Sequence, residues 1–370
     1  MHPTAFPPKG AGLESLITET TSCWERLSQE KRPIFIYGMG DGAVKIMSAF
    51  RQYHIPVSGI FASDEFVRGH YFAGFKVHKL SEIEEQIDDF VIVLAFAAGY
   101  LELIQYIRQL SHRHTLYAPD VPVIGSGLFT YQYFLEHLQE FNAVYRMLAD
   151  DESRRVYMNI IQYKISGNIR YLETISAEPD HIFRTILRPS RNEIFVDLGA
   201  YTGDTIRELL HYTNQKYYLI HAVEPDKRSF KKLTAYIEDN HLKHIKPHQC
   251  VSWCKDTELP FNAKAGRQSA LSPEGDMIQA VSVDSLMNGQ PLTMLKMDVE
   301  GFEREALWGA ARSIQQYAPK LSVSIYHRNQ DIFELPLLVK KLNPKYQFYI
   351  RQRLYIPAWD LNLYAVPGES

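Results

Sequence analysis

The chain has 370 residues, of which 45% are apolar and 22% charged, with a net charge of −3. This is the balance of an ordinary globular protein, long enough for two domains. Nothing in it argues for a broad electrostatic grip on nucleic acid, which needs clustered Lys and Arg, and a local basic patch stays open.

Residues 1–12 carry Pro and Gly but no apolar stretch of the kind a secretory signal needs. A helix is predicted over 13–30, ending before Pro33. A strand over 33–37 then runs into Gly38-Met39-Gly40-Asp41-Gly42-Ala43 and a helix to about Tyr53. Strands follow at 57–62 and 90–97, the second wholly apolar and so buried on both faces, and a helix at 100–110. Strands alternating with helices predict a parallel sheet with crossover helices, giving a first domain over 13–120. Gly38, Gly40 and Gly42, with Asp64 at the ribose distance, loosely fit a dinucleotide fingerprint. A second nucleotide site there and a docking domain without a ligand both stay open. Pro119 to Pro122 and Gly125-Ser126-Gly127 mark a boundary, and unbroken helical periodicity over 129–169 predicts a helical connector within 121–184.

From Glu193 the alternation resumes. Strands are expected at 194–198, 218–223, 248–253, 278–283, 293–297, 321–325 and 346–351, and helices at 205–212, 228–240, 303–316 and 332–342. The fold class is therefore α/β: two Rossmann-like three-layer domains joined by a helical connector. The second, over 185–370, has a seven-stranded, mostly parallel sheet. The longest apolar run, near 90–101, is too short to cross a bilayer. Three cysteines, Cys23, Cys250 and Cys254, are a small odd number that fits a reducing compartment, so a cytoplasmic protein is expected.

The chemistry concentrates in the second domain. A strand ends at Asp197, Leu198-Gly199-Ala200-Tyr201-Thr202-Gly203 makes the turn, and Asp204-Thr205 opens a helix. Small residues let the backbone approach a ligand, and Glu224-Pro225 at the end of the next strand puts a carboxylate where ribose hydroxyls are read. A pyrophosphate would sit on the helix N-terminus. Asp197 and Asp204 would repel it; they suit a ligand with an ammonium and a sulfonium, the methionine end of S-adenosylmethionine. Further on, Lys296-Met297-Asp298-Val299-Glu300-Gly301 closes another strand. If that strand runs to its end, Lys296, Asp298 and Glu300 share one face at the carboxyl edge, where open α/β sheets bind ligands. His327 ends the next strand at the same edge. A general base is expected among Asp298, Glu300 and His327. No metal is assigned, because two carboxylates alone do not specify one.

Together these residues resemble the FkbM family of methyltransferases. The pattern comprises Asp197 to Gly203, Glu224-Pro225, Gln268-Ser269-Ala270, Val283-Asp284-Ser285-Leu286 and Lys296 to Glu303. The resemblance implies a class I methyltransferase fold, S-adenosylmethionine as cofactor, and O-methylation, commonly of a sugar hydroxyl. It adds Cys250, Val251 and Ser269 to the expected cofactor contacts, together with Asp298. The family's Asn in the glycine loop is Tyr201 here. In the first domain, Gly69 to His78 resembles an extended segment of the Rossmann-like domains of sugar O-acyltransferases, which implies a nucleotide-linked sugar as a partner. Rival readings are a nicotinamide-dependent oxidoreductase or epimerase, for which no clear hydride-site constellation is found, and a non-catalytic nucleotide-binding protein. The oligomeric state stays open.

Overall fold

A computed structural model describes residues 12–262, 270–271 and 275–368. The expected cofactor contact Ser269 lies outside the described residues. No helix among those described is long and apolar enough to cross a membrane.

The first domain is built on β1 (Ile34–Tyr37), β2 (Gly59–Ala62), β3 (Tyr71–Phe72), β4 (Phe75–Lys79), β5 (Val91–Leu94) and β6 (Thr115–Tyr117). Their order is β3-β4-β2-β1-β5-β6, parallel except for the β3–β4 hairpin. Central β1, β2 and β5 are buried along their whole length, which is why they read as unbroken apolar runs. The expected helix over 13–30 is not there. A 3-10 turn at Leu13–Ser15 and a short helix at Cys23–Ser28 replace it. The run Thr18 to Ser22 is rich in hydroxyls: Thr18 gives its N–H and its Oγ1–H to Gln162 Oε1, and Ser22 starts a new helix through a capping box with Glu25.

The connector breaks for the same kind of reason. One helical stretch becomes helices at Tyr131–Glu136, Leu138–Met147 and Asp151–Ser166. Asp150 caps the third by accepting the Ser153 N–H, and it also holds the buried Arg351 guanidinium of the second domain. Lys164 of this helix forms a buried ion pair with Asp120.

The second domain contains β7 (Ile194–Leu198), β8 (Leu219–Val223), β9 (Ile245–His248), β10 (Val251–Ser252), β11 (Thr257–Asn262), β12 (Ala270–Leu271), β13 (Asp276–Val281), β14 (Met294–Met297), β15 (Lys320–Ser324), β16 (Tyr346–Gln352) and β17 (Leu361–Pro367). The main sheet has seven strands in the order β16-β17-β15-β14-β7-β8-β9, with only β17 antiparallel to its neighbours. The expected number of strands is right, but the membership differs. The strand predicted at 278–283 is β13, which lies in a separate four-stranded sheet of order β10-β13-β11-β12. The seventh place belongs to β17, whose residues 361–365 are buried. The strand predicted at 248–253 is two strands in two sheets, and Pro247 sits on edge strand β9, where a missing N–H is tolerated. The helix predicted at 303–316 breaks at Ala310, and Asp284 receives the N–H groups of Arg312 and Ser313 as the second segment begins.

The two sheets are not independent. One apolar core runs from Phe35, Tyr37 and Leu94 of the first, through Phe141, Tyr157 and Ile160 of the connector, to Leu295, Val323 and Leu363 of the second. Ala98, after β5, exchanges both backbone hydrogen bonds with Ile356, in the loop between β16 and β17.

On β8 and β9, His221 and His248 stack, with Nδ1 and Nε2 3.0 Å apart. Burial pushes His221 down to about 4 and the neighbouring His248 adds to this; His248 is lowered as well. The unfolded chain therefore binds protons that the folded chain refuses. Stability that is full above pH 6.5 is lost as pH falls toward 4. His221 alone predicts a loss of about 2 kcal/mol between pH 7.5 and 5. Urea unfolding at the two pH values, compared with His221→Phe, should show that much of the loss disappearing in the variant.

Candidate active site

The sheet ends converge on a cleft of about 440 Å³. Its floor is the turn after β7. Gly199 has φ +75, and a Cβ there would sit 1.9 Å from the Asp298 carbonyl oxygen, so only glycine lets β7 and β14 close. Asp197 lies beneath the turn, fully buried. Neither of its carboxylate oxygens accepts a well-formed hydrogen bond, and the nearest cation, Lys296 Nζ at 3.3 Å, is bonded to the Gly199 carbonyl at 2.7 Å. Burial pushes Asp197 up to about 6, with Lys296 opposing and Asp204 and Asp298 reinforcing the shift. Burial also weighs against the charge of Lys296, but Asp197 and Asp298 outweigh it and keep the ammonium charged.

Glu224, 6% exposed, ends β8. One carboxylate oxygen accepts the Tyr201 N–H at 2.8 Å and the other the Asp226 N–H at 2.9 Å. Burial raises it to about 6 despite those bonds. Tyr201 has φ +47 and a half-exposed side chain. That left-handed conformation is one Asn tolerates and a bulky residue does not, which gives a physical reason for the Asn that stands here in the family pattern. Tyr201→Asn should raise unfolding stability by about 0.5–1 kcal/mol, read from urea denaturation.

Gly199, Tyr201, Asp204, Glu224, Pro225, Val251 and Asp298 all line the cleft. Other expected contacts lie elsewhere. Ala200 is buried in the core on the far side, and a Cβ on Gly203 would meet the Tyr236 ring at 2.9 Å, so both serve packing. Cys250 faces the core, where burial raises its thiol to about 12. Thr205 opens onto an adjoining polar cavity of about 290 Å³, which it shares with Glu208, Lys296, Asp298, Tyr326, Arg353 and Asn362. Glu193, in front of the motif, sits at the opposite end of β7, where it holds Lys320 and Thr293.

Around β14 the expected alternation fails. The strand stops at Met297, and Glu300 takes φ +52 ahead of Gly301 at +89, turning its carboxylate into the cleft mouth. A non-glycine residue in this conformation is strained, and both Tyr201 and Glu300 border the same cleft. Glu303 shapes the turn: its Oε1 accepts the Val299 N–H at 2.9 Å and lies 3.0 Å from His327 Nδ1. His327 is fully buried, with Nε2 3.4 Å from Asp298 Oδ1 and 3.5 Å from Glu300 Oε2. Burial alone would lower its pKa, but Glu303, Asp298 and Glu300 outweigh that and raise it to about 10. His327 thus stands behind the carboxylates and does not line the cleft itself, with Nε2 turned toward the gap between Asp298 and Glu300.

The first domain supplies a wall. Tyr100 lines the cleft, and a cavity of about 470 Å³ opens between Gly40, Asp41, Gly42, Lys45 and Phe96 on one side and Glu300, Tyr326 and Trp359 on the other. Of the expected second-site residues, Gly40 and Gly42 line it; Gly38 packs against Phe96, and the exposed Asp64 stands apart. Sequence reasoning missed Glu303, Tyr326, Trp359, Ser252 and Tyr100. Only Glu303 carried a signal, as the last residue of the Lys296 to Glu303 pattern.

A seven-stranded sheet of this order, with a glycine turn after β7 and a carboxylate ending β8, defines a Rossmann-like methyltransferase fold. Residues 197–348 match the family model of the methyltransferase FkbM domain. A crystal structure of methyltransferase FkbM from Methylobacillus flagellatus KT is similar over 95% of this chain and 96% of that one, with 20% identity and a TM-score of 0.73. An rRNA methylase from Streptococcus thermophilus matches 52% of this chain and 94% of its own, with 12% identity and a TM-score of 0.34. Fibrillarin from Aeropyrum pernix, in complex with S-adenosyl-L-methionine, matches 48% and 68%, with 12% identity and a TM-score of 0.29. No curated protein matches the sequence.

Proposed function

We propose that the protein is an S-adenosylmethionine-dependent O-methyltransferase whose acceptor, a sugar or sugar-like hydroxyl compound, lies between the two domains. The observation that carries this reading is Glu300, which borders both the cleft over Asp197 and the interdomain cavity.

The cleft fits the cofactor on its own terms. The buried Asp197 carboxylate, with Lys296 at 3.3 Å but no well-formed hydrogen bond, has acceptor capacity left for a cationic donor, which an α-ammonium supplies. Asp204 adds negative charge near a sulfonium, and Glu224 accepts ribose hydroxyls. The glycine at 199 keeps the floor flat beneath them. When bound, the cofactor supplies a methyl group already activated on sulfur. The protein's task is then to hold the acceptor hydroxyl in place and take up its proton. Asp298 and Glu300 are the carboxylates positioned to do so, while Glu303 and His327 fix their orientation from behind.

The interdomain cavity suits a sugar. Phe96, Tyr326 and Trp359 offer aromatic faces to C–H bonds, and Asp41 and Glu300 offer acceptors to hydroxyls. A nicotinamide dinucleotide fits less well. Asp41 occupies the first turn of the helix after β1, where a pyrophosphate would bind, and Lys45 is held by Asp41 and by the carbonyls of Pro122 and Val123.

The test is transfer of tritium from S-adenosyl-[methyl-³H]methionine to a set of methyl glycosides of common hexoses, deoxyhexoses and N-acetylhexosamines. Label should appear in a glycoside as a methyl ether. Label transferred only to amine or thiol acceptors would refute O-methylation.

A further inference from the structure

Among the described residues, Asp298, Glu303 and His327 bring donor atoms within 4.8 Å of one another, and Glu300 Oε2, at the cleft mouth, lies 3.5 Å from His327 Nε2. Carboxylates alone would be only an acidic patch. The imidazole is different: His327 is fully buried and paired through Nδ1 with Glu303 at 3.0 Å, while its Nε2 makes no well-formed hydrogen bond. Its Nδ1 side faces Glu303, 1% exposed, and its Nε2 side faces the gap between Asp298 and Glu300, which opens to the cavities.

We propose that His327 Nε2, Asp298 and Glu300 bind a divalent cation at the cleft mouth, with Glu303 orienting the imidazole from behind. Three features carry this. Metal–ligand bonds of about 2.1 Å at right angles place neighbouring donors about 3.0 Å apart; the nitrogen-to-oxygen gaps here are 3.4 and 3.5 Å, closed by small side-chain movements. A ligating histidine commonly has a carboxylate behind its other nitrogen, which is the place Glu303 takes. One imidazole with two carboxylates is a donor set for Mn²⁺-like first-row ions, and three such ligands leave positions open toward the cavity.

A cation there would take the acceptor hydroxyl as a ligand and lower its hold on its proton, which the non-coordinating carboxylate oxygen of Glu300 would accept at the mouth shared with the interdomain cavity. This role rests on the methyl-transfer reading, whereas the binding itself does not.

The test uses the full chain, stripped with EDTA and titrated with MnCl₂ while electron paramagnetic resonance follows free Mn²⁺. One ion per chain should be taken up, and electron spin-echo modulation should show a coordinating ¹⁴N, a signature that a purely acidic patch does not give. His327→Gln should abolish the nitrogen coupling and weaken uptake at least about tenfold, and Glu303→Gln should weaken it by about 10–100-fold. Circular dichroism checks the fold of each variant. If His327→Gln does not fold, Glu300→Gln, at the rim, takes its place and should weaken uptake by a similar factor. No Mn²⁺ uptake, uptake without nitrogen coupling, or uptake unchanged in the folded variants would overturn the proposal. Because none of these readings involves methyl transfer, their failure leaves the proposed function standing, and a failure to methylate leaves them untouched.

Discussion

Asp197→Ala is expected to bind S-adenosylmethionine at least about a hundredfold more weakly than the parent, close to the 3 kcal/mol that breaking a buried ion pair costs at the low end. Equilibrium dialysis with labelled cofactor measures it. The variant should nevertheless fold. Burial holds Asp197 near 6, above its unfolded value, so its stabilising contribution is full only in acid and is lost as pH rises through 6. At neutral pH the ionised carboxylate burdens the free protein, and removing it does not threaten the core. Lys296 keeps the Gly199 carbonyl and the neighbouring Asp298 as partners. Cofactor binding is expected to depend on pH as well. Asp197 and Glu224 both titrate near 6, and both are wanted as anions by a ligand that offers an ammonium and two hydroxyls. Cofactor affinity should therefore fall as pH drops through 6, and the Asp197 part of that fall should be missing in Asp197→Ala.

Glu300→Gln is expected to lower kcat/KM by about 10²–10³ while leaving the affinity for S-adenosylhomocysteine within a few-fold of the parent. Gln is close in size and keeps the hydrogen-bonding reach, but it neither takes up a proton nor carries charge. The strained φ of +52 at this position is unchanged by the substitution, so the turn before Gly301 persists. Asp298→Asn should behave in the same direction, with a larger effect on cofactor binding, since Asp298 lines the cleft and the polar cavity alike. If Glu300→Gln turned over as fast as the parent, Glu300 would be a wall of the cavity and nothing more.

Much of the architecture was legible because parallel, doubly covered strands such as β1 and β7 leave apolar runs that end at glycine turns. The errors fall where local side-chain chemistry overrides periodicity. Thr18 and Ser22 divert the backbone with their hydroxyls, Asp150 restarts a helix that the pattern ran through, and Asp284 on one helix caps another. β17 was missed although its core is apolar, because its place in the sheet depends on pairing with β15 and β16 from a distance. At the site, motif residues on successive strand ends converge as the sheet order requires. The alternation rule failed at Glu300 because the strand stops three residues earlier and the chain turns left-handed. Nothing in the sequence announces that Tyr100, Phe96 and the loop at Gly40 face Glu300 and Trp359: that juxtaposition comes from a core shared by both sheets and from the Ala98–Ile356 pairing.

The central claim, that the cleft over Asp197 holds the methyl donor, is tested most directly by calorimetric titration of the full chain with S-adenosylhomocysteine at pH 7.5. Saturable heat with one molecule bound per chain is expected. No binding heat at millimolar ligand, with the protein folded by circular dichroism, would contradict it.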